Sequence, residues 1–206
     1  MAASYRSIAR PATAEVVERK SRFIGLAHPA SSEEEAFSVL EDVRAANPEA
    51  RHNVWAYLLQ SGRERCSDDG EPQKTAGLPT LEVLRRSGLS DLVLVTTRYF
   101  GGILLGTGGL VRAYTQAAQE TLAAAEQVEY TSCVEVVCRL PYSLYEQARR
   151  MAVDAGGKPG EAAFTNEVEL PVVFREGEHA AFVAAVGELA RGKDLCTVGA
   201  PQFRAF

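Results

Sequence analysis

The chain has 206 residues, of which 46% are hydrophobic and 24% are charged, a composition typical of a folded globular protein. The net charge is −5, so RNA binding would have to rest on a local cationic patch, since broad nucleic-acid affinity needs a basic surface. The sequence has no apolar run of the roughly 18 residues that cross a bilayer and no stretch typical of a signal peptide, so we expect a cytoplasmic protein without membrane contact.

The N-terminal segments show the alternation of apolar and polar residues that is typical of strands. Residues 4–10 form one such segment and residues 12–30 form a second. A polar corner at Arg19, Lys20 and Ser21 interrupts the second segment. The sequence therefore predicts a β-hairpin that turns at this corner.

A capping signal opens the first predicted helix. Ser31 stands at the expected N-cap, and Glu34, three residues later, completes a capping box. The helix should end before Pro48, because proline disfavours helical backbone at the preceding residue. An alternating strand is predicted over residues 51–60.

The next segment, residues 61–78, is polar and rich in turn formers. Asp68, Asp69 and Glu71 place three carboxylates within four positions, a set that can hold Mg²⁺ or act in acid–base chemistry. A solvated turn in which the aspartates bond their own backbone explains the same residues, and composition favours it. A third interpretation is that one of the aspartates pairs with Arg98 and fixes it in place.

A short helix is predicted over roughly residues 79–86, and a strand–loop–helix unit follows over residues 91–127. The loop, residues 101–109, has glycine at five of its nine positions. The first N–H groups of a helix are unpaired and carry partial positive charge, so a loop of this kind flanked by Arg98 and Arg112 predicts an anion site. Close packing of the strand and the helix is the alternative explanation of the glycines.

These stretches together resemble the signature of the IMPACT/YigZ family over about the first 127 residues. The matching motifs are residues 20–24, His52 with Ala56 and Tyr57, residues 68–72, residues 75–77, residues 97–102 and residues 105–114. The resemblance implies that domain 1–127 has the fold of the second domain of small-subunit ribosomal protein S-five. It also implies a C-terminal domain, as in bacterial members, that is similar to the last domain of elongation factor G.

The remainder of the chain, residues 128–206, predicts a separate domain with the ferredoxin-like order β-α-β-β-α-β, and the whole chain is of the α+β class. Its predicted elements are a strand over residues 128–140, a helix capped by Ser143 with Glu146, a hairpin over residues 160–175, a helix over residues 179–191 and a strand over residues 194–206.

The loop chemistry and the resemblance together nominate two groups of site residues, one for an anion or nucleic acid and one for the cleft around it. The first group is Lys20, Arg22, Lys74, Arg98, Gly101, Gly102, Gly106, Gly108, Gly109 and Arg112. The second group is His52, Asp68, Asp69, Glu71, Thr75, Tyr99 and Phe100.

The sequence departs from the family pattern at two of its motif positions. Family members usually have glycine where this chain has Lys74, and lysine where it has Leu104. The second departure removes a cation from the glycine-rich loop, and Lys74 is a candidate to replace that charge from the opposite loop. The three histidines and four cysteines lack the spacing of metal ligands, so no metal or cofactor is expected and the thiols should be reduced.

Three functions remain in competition. The resemblance favours a non-catalytic regulatory protein of translation that binds RNA, the ribosome or a translation-control protein. The rival is a small-molecule enzyme that holds a phosphorylated ligand on the glycine-rich loop, with Asp68, Asp69 and Glu71 as metal ligands or general base. The third is a protein–protein adaptor, because eukaryotic relatives compete for a partner of the amino-acid-starvation kinase in a stress response.

Overall fold

The computed structural model of the protein describes residues 4–206, and the first three residues of the predicted N-terminal domain lie outside the described residues. The chain divides into two compact units: residues 5–128, and residues 129–206 together with Ser4. Helices and antiparallel sheets occur in both units, which confirms the α+β class. Within the described part of the chain, no helix combines the length and the apolar character needed to cross a bilayer.

The first unit is built on a five-stranded antiparallel sheet with the strand order β2-β3-β6-β4-β5. Its elements are β1 (Ser4–Ile8), β2 (Ala12–Glu18), β3 (Ser21–Pro29), α1 (Glu33–Ala46), β4 (His52–Leu58), β5 (Glu64–Ser67), α2 (Gly77–Ser87), β6 (Leu92–Tyr99) and α3 (Gly106–Ala123).

Helices cover both faces of this sheet. The two central strands, β4 and β6, are buried on both sides, so successive residues serve two different cores. Trp55 and Tyr57 pack with α1 on one face. Ala56 and Leu94 pack with α2 and α3 on the other. The continuous apolar run of β6 is the sequence signature of such two-sided burial.

The predicted hairpin is present. Arg19 and Lys20 form its turn and both have positive φ, 45° and 68°, as in the two-residue turns that match the twist of a hairpin. The capping box lies one residue further along than predicted: the N-cap is Ser32, whose Oγ accepts a hydrogen bond from the Glu35 N–H at 3.2 Å. Glu35 in turn accepts from the backbone N–H of Ser31 at 2.7 Å.

Three further features of the first unit refine or differ from the prediction. The polar segment 61–78 contains β5, which pairs with β4 although its sequence is not apolar. β6 continues to Tyr99, because it is paired with β3 on one side and β4 on the other, so residues 97–99 belong to the strand. α3 begins at Gly106, and the last four residues of the predicted glycine-rich loop are therefore its first turn.

The second unit contains β7 (Gln127–Leu140), α4 (Tyr142–Asp154), β8 (Lys158–Pro159), β9 (Ala163–Phe164), β10 (Val168–Arg175), α5 (Ala180–Leu189), β11 (Cys196–Val198) and β12 (Gln202–Ala205). β7 pairs with β10, β11 and β12, and β10 pairs with β8 and β9. Ser143 does not cap α4, because the N-cap is Pro141, which leaves Ser143 inside the first turn. The first arm of the predicted hairpin over residues 160–175 is two short strands, β8 and β9, and β8 lies just before residue 160.

Candidate functional site

The three carboxylates of the acidic loop, which we define as residues 67–77, have separate structural partners. The Asp68 carboxylate lies at the start of α2 and accepts backbone hydrogen bonds from Lys74 at 2.8 Å, Ala76 at 3.0 Å and Gly77 at 2.8 Å. These N–H groups would otherwise be unpaired at a helix N-terminus. Asp68 therefore closes the loop and caps the helix.

Asp69 links the acidic loop to α1 and β4. Its carboxylate accepts a hydrogen bond from the backbone N–H of Asn53 at 2.7 Å and forms an ion pair with Arg44 at 2.8 Å. The backbone at Asp69 is left-handed, with φ of 42°, a conformation that aspartate tolerates better than most residues. Its carbonyl oxygen lies 2.8 Å from Nδ1 of His52, which fixes the imidazole against the loop.

Glu71 holds Arg98 in the interior of the first unit. The carboxylate accepts a hydrogen bond from Arg98 Nη1 at 2.6 Å and from the Tyr114 hydroxyl at 2.8 Å, and the Arg98 and Glu71 side chains are 8% and 3% exposed. The suggestion that an aspartate pairs with Arg98 is therefore wrong, because Asp68 and Asp69 are both committed to backbone groups. Burial, and secondly the Glu71 charge, raise the pKa of Tyr114 well above its usual value.

The Arg98 guanidinium lies near two aromatic rings, with its Cζ atom 5.4 Å from the centre of the Phe23 ring and 5.6 Å from that of Phe100. Its Nε is buried and has no hydrogen-bond partner among the described residues. Cation–π contacts of this kind stabilise a guanidinium that is removed from water. Arg98 is thus fixed by the fold and does not stand free at the rim of the glycine-rich loop.

Gly101, at the start of the glycine-rich loop, is required for close packing. A Cβ added there would lie 2.0 Å from the carbonyl carbon of Lys20, so the loop backbone lies directly against the β2–β3 turn. The Gly101 N–H donates to Ser21 Oγ at 3.1 Å. Gly102 and Gly106 have positive φ, 83° and 70°, and face open space. The packing explanation therefore holds for Gly101.

The remaining glycines of this motif, Gly108 and Gly109, lie in the first turn of α3. The residue before the helix, Leu105, provides no side-chain hydrogen bond to the first turn. Of the residues offered as anion ligands in this region, Arg112 is exposed on α3. The backbone geometry is thus compatible with an anion at the start of α3, a role that stays a prediction.

A cavity of about 600 Å³ lies beside Arg98 and brings together four of the predicted site residues, His52, Arg98, Tyr99 and Phe100. Phe100 is 54% exposed and Leu104 is 81% exposed, so apolar surface is available to a ligand. Sequence reasoning missed Arg51 as a cation of this wall, although it directly precedes the His52 motif. The lining of this cavity, called the Arg98 cavity below, is Glu49, Arg51, His52, Arg98, Tyr99, Phe100 and Leu104.

Other predicted residues lie elsewhere. Arg22 forms a bidentate pair with Glu15, at 2.7 and 3.0 Å, and its guanidinium lies 5.8 Å from the centre of the Tyr99 ring. The Thr75 hydroxyl donates to the Pro72 carbonyl within the acidic loop.

Lys74 lines a second cavity, of about 520 Å³, between α2 and α3. Leu104 lines the Arg98 cavity, and the two linings share no residue, so a replacement of the Leu104 charge by Lys74 stays a prediction. Across residues 4–206, no three histidine, cysteine, aspartate or glutamate side chains are grouped so as to hold a metal ion.

Comparison with known proteins gives the relatives of the chain. Residues 19–122 match the family model described as the Impact N-terminal domain. The IMPACT family member YvyE from Bacillus subtilis (strain 168) is 34% identical over 92% of this chain and 88% of its own length. The IMPACT family member YigZ from Escherichia coli (strain K12) is 34% identical over 89% of this chain and 92% of its own length. A crystal structure described as that of a hypothetical protein superposes with a TM-score of 0.67 and 32% identity, covering 98% of this chain and 97% of the other.

Proposed function

Because the chain belongs to the IMPACT family, we propose that it is a non-catalytic, cytoplasmic regulatory protein that binds RNA of the translation machinery, on the ribosome or free, through the Arg98 cavity. The support for translation is the family resemblance of its motifs. The support for binding rather than catalysis is the way in which the acidic loop is built.

The observation that carries the proposal is the contrast between the acidic loop and the wall of the Arg98 cavity. Asp68 accepts hydrogen bonds from backbone N–H groups at the start of α2, and Asp69 accepts one from a backbone N–H of β4 and pairs with Arg44. Glu71 accepts hydrogen bonds from Arg98 and Tyr114. An enzyme that used these carboxylates as metal ligands or as a base would have to break those contacts. The adjacent cavity instead offers one exposed cation, Arg51, next to the Glu49 carboxylate, and the exposed aromatic surface of Phe100.

This lining suits a single-stranded nucleotide. RNA bases that are not paired stack on aromatic rings, and Phe100 presents a ring that is 54% exposed and is backed by the Arg98 guanidinium. Arg51 is exposed on the same wall and can pair with a phosphate oxygen. His52 lines the same cavity, and the contact of its Nδ1 with the Asp69 carbonyl oxygen orients the ring.

The finer architecture is part of the proposal. We assign the second unit to the ferredoxin-like class because its elements follow the order of β7, α4, the β8–β9 pair with β10, α5 and the β11–β12 pair, and β7 and β10 are adjacent central strands. The first unit is assigned to the class of ribosomal protein S-five domain two on the strength of the family resemblance. Superposition of residues 5–128 on that ribosomal domain tests this assignment.

The binding test measures the anisotropy of a fluorescent single-stranded RNA oligonucleotide titrated with the full chain. Phe100→Ala should raise Kd by about 5- to 100-fold, the value of one stacked base. Arg51→Ala should raise Kd by about tenfold, the value of one charge-assisted phosphate contact. Arg51→Ala should keep the melting temperature of the unchanged protein, since its side chain is exposed. Phe100→Ala removes the ring beside the Arg98 guanidinium and should lower the melting temperature slightly, so its Kd is measured at a temperature at which the variant is fully folded.

Arg86→Ala is the matched control, because Arg86 is an exposed arginine that lines the second cavity. It should leave the RNA affinity unchanged. Equal losses for Arg51→Ala and Arg86→Ala would show that binding responds to net charge alone, and an oligonucleotide that binds none of the proteins would end the RNA proposal.

A second candidate, a protein–protein adaptor, is favoured by the cavity between α2 and α3. Its wall includes Leu78 and Val111, which are 37% and 36% exposed. Exposed apolar surface of this kind marks sites of protein contact. If a translation factor binds the chain after nuclease treatment has removed RNA, Val111→Asp should abolish that binding while Phe100→Ala leaves it intact.

A further inference from the structure

Two cysteines of the second unit face each other across neighbouring strands. Cys138 on β7 is the direct partner of Cys196 on β11 in an antiparallel ladder. Direct partners in such a ladder have Cα atoms about 4.5 or 5.5 Å apart, and both values lie within the range that a disulfide bridges. The two sulfur atoms are already in contact, at 2.7 Å.

The two thiols differ in their surroundings. Cys138 is fully buried in the core of the second unit, together with Val136 and Leu140. Cys196 is only partly buried, at the start of β11. The hydrogen bond between the two thiols lowers the pKa of Cys196, and the same contact, with burial, raises the pKa of Cys138. Cys196 is therefore the accessible and more nucleophilic member of the pair.

The remaining cysteines serve as internal references. Cys66 lies on β5 of the first unit, opposite Ala56, and burial raises the pKa of its thiol. Cys133 is buried on β7, opposite Arg175 and Gln202, and burial raises the pKa of its thiol as well. Neither has a cysteine as its strand partner, so the register singles out one pair.

We propose that Cys138 and Cys196 form an oxidisable dithiol that peroxides convert to a cross-strand disulfide within the second unit. The site is independent of the RNA proposal, because it involves no residue of the Arg98 cavity. The oxidant is a peroxide, and the product is returned to two thiols by a small dithiol reductant.

The chemistry balances in two steps. The Cys196 thiolate attacks one oxygen of hydrogen peroxide, which breaks the O–O bond, forms a sulfenic acid and releases hydroxide that takes up the thiol proton as water. The Cys138 sulfur then attacks the sulfur of Cys196, its proton leaves with the sulfenic hydroxyl as a second water, and the S–S bond forms. Two thiols lose two electrons in total, and one peroxide is reduced to two waters.

Oxidation ties β11 to β7 and closes a chain segment with a sequence separation of 58 residues. Cross-links of this kind stabilise a fold largely by restricting the unfolded chain. The melting temperature of the oxidised protein should therefore rise by about 5–15 °C. Reduction should return it to its starting value.

The test treats the full chain with hydrogen peroxide under native conditions, quenches with catalase, alkylates the remaining thiols in denaturant and measures intact and peptide masses. The unchanged protein should lose the mass of two hydrogen atoms, should be alkylated at two of its four cysteines, and should yield a peptide pair that joins Cys138 to Cys196. Dithiothreitol before alkylation should restore all four sites. Covalent dimers, links to Cys66 or Cys133, or an unchanged mass would overturn the proposal.

Two variants separate the pair from the general reactivity of the protein. Cys196→Ala changes only a partly buried side chain, so the variant is expected to fold. Without the Cys196 thiolate as the attacking nucleophile, the rate at which peroxide oxidises the Cys138 thiol should fall by at least about tenfold. A Cys66→Ala, Cys133→Ala double variant should form the Cys138–Cys196 link at the rate of the unchanged protein. If Cys196→Ala leaves the Cys138 thiol oxidising at the original rate, Cys196 is not the attacking group and the proposal fails.

Discussion

The acidic loop and the Arg98 cavity are neighbours in the first unit, and they use charged side chains in opposite ways. In the acidic loop every carboxylate accepts hydrogen bonds from groups of the protein. In the Arg98 cavity the charged side chain of Arg51 and the ring of Phe100 are exposed. The three carboxylates of the acidic loop, which are the most conspicuous charged cluster in the sequence, are thus structural. The surface available to a ligand is the Arg98 cavity, whose residues come from β4, β6 and their flanking loops.

The difference follows from burial. A buried charge has to be paired. The intact Glu71–Arg98 pair adds little net free energy to folding, but removing one partner leaves the other charge buried without compensation, which costs a large part of the stability. An exposed arginine contributes little to folding, and it remains free to contact a phosphate. The predictions below test this division, from the largest expected effect to the smallest.

Arg98→Ala should cause the largest loss of stability. It leaves the Glu71 carboxylate buried with only the Tyr114 hydroxyl as its hydrogen-bond donor in the structure. The free energy of unfolding should fall by about 3–5 kcal/mol, the cost of breaking a buried ion pair from one side. Urea denaturation followed by circular dichroism measures it.

The paired variant Arg98→Met, Glu71→Leu should regain much of this loss, because it removes both charges and fills similar volume. Arg112→Ala, an exposed arginine of the same region, is the control and should change stability by no more than about 0.5 kcal/mol. A loss for Arg98→Ala as small as that of the control would contradict the structural role of the pair.

Asp68→Ala should have the next largest effect, about 2–3 kcal/mol of unfolding free energy. It leaves three backbone N–H groups, those of Lys74, Ala76 and Gly77, without their charged acceptor. Glu41→Ala on the exposed face of α1 is the matched carboxylate control and should be close to neutral. If Mg²⁺ raised the stability of the unchanged protein but not that of Asp68→Ala, the metal interpretation of the loop would have to be taken up again.

Sequence reasoning succeeded where a local pattern dictates a structure. The hairpin at Arg19 and Lys20 and the buried run of β6 follow from turn chemistry and from hydrophobic pattern. It failed where tertiary pairing decides. β5 has a polar sequence and is a strand only because β4 lies beside it. In the same way, the partner of Arg98 depends on how the acidic loop is folded, and spacing along the chain does not select Glu71 over Asp68.

Gly101→Ala tests the packing explanation of the glycine-rich loop. The new Cβ would lie 2.0 Å from the Lys20 carbonyl carbon, so one of the two backbones has to move, at a cost of about 1–3 kcal/mol. Gly108→Ala is the matched control in the same motif. It lies in the first turn of α3 and its Cβ would meet only Arg112 Nη1, at 3.6 Å. It should be neutral or stabilising by up to about 1 kcal/mol, because alanine is the better helix former.

Tyr114 should make the free energy of unfolding depend on pH. Its pKa is raised in the folded protein by burial and by Glu71, so the folded state keeps the phenol proton where the unfolded state has lost it. Stability should therefore be unaffected by this group below about pH 10 and should fall by about 1.4 kcal/mol per pH unit above it. Tyr114→Phe should remove that part of the slope in alkaline urea denaturation. Identical slopes for the two proteins would show that Tyr114 does not titrate on unfolding.

Leu104→Lys should produce the smallest effect on the fold and a gain in binding. It introduces the lysine that the family resemblance implies at this position, on a side chain that is 81% exposed and lines the Arg98 cavity. The unfolding free energy should stay within about 0.5 kcal/mol. A single added phosphate contact should increase affinity for single-stranded RNA by about two- to fivefold at low salt.

The salt dependence of Leu104→Lys decides whether that gain is a specific contact. One more phosphate neutralised on a single strand makes the slope of log K against log salt more negative by about 0.7. Leu78→Lys adds the same charge to an exposed side chain of the cavity between α2 and α3, and it should leave the slope unchanged. If both variants shift the slope equally, RNA responds to the total charge of the chain. A shift confined to Leu104→Lys places a phosphate beside Phe100 and Arg51, because only the Arg98 cavity has been altered.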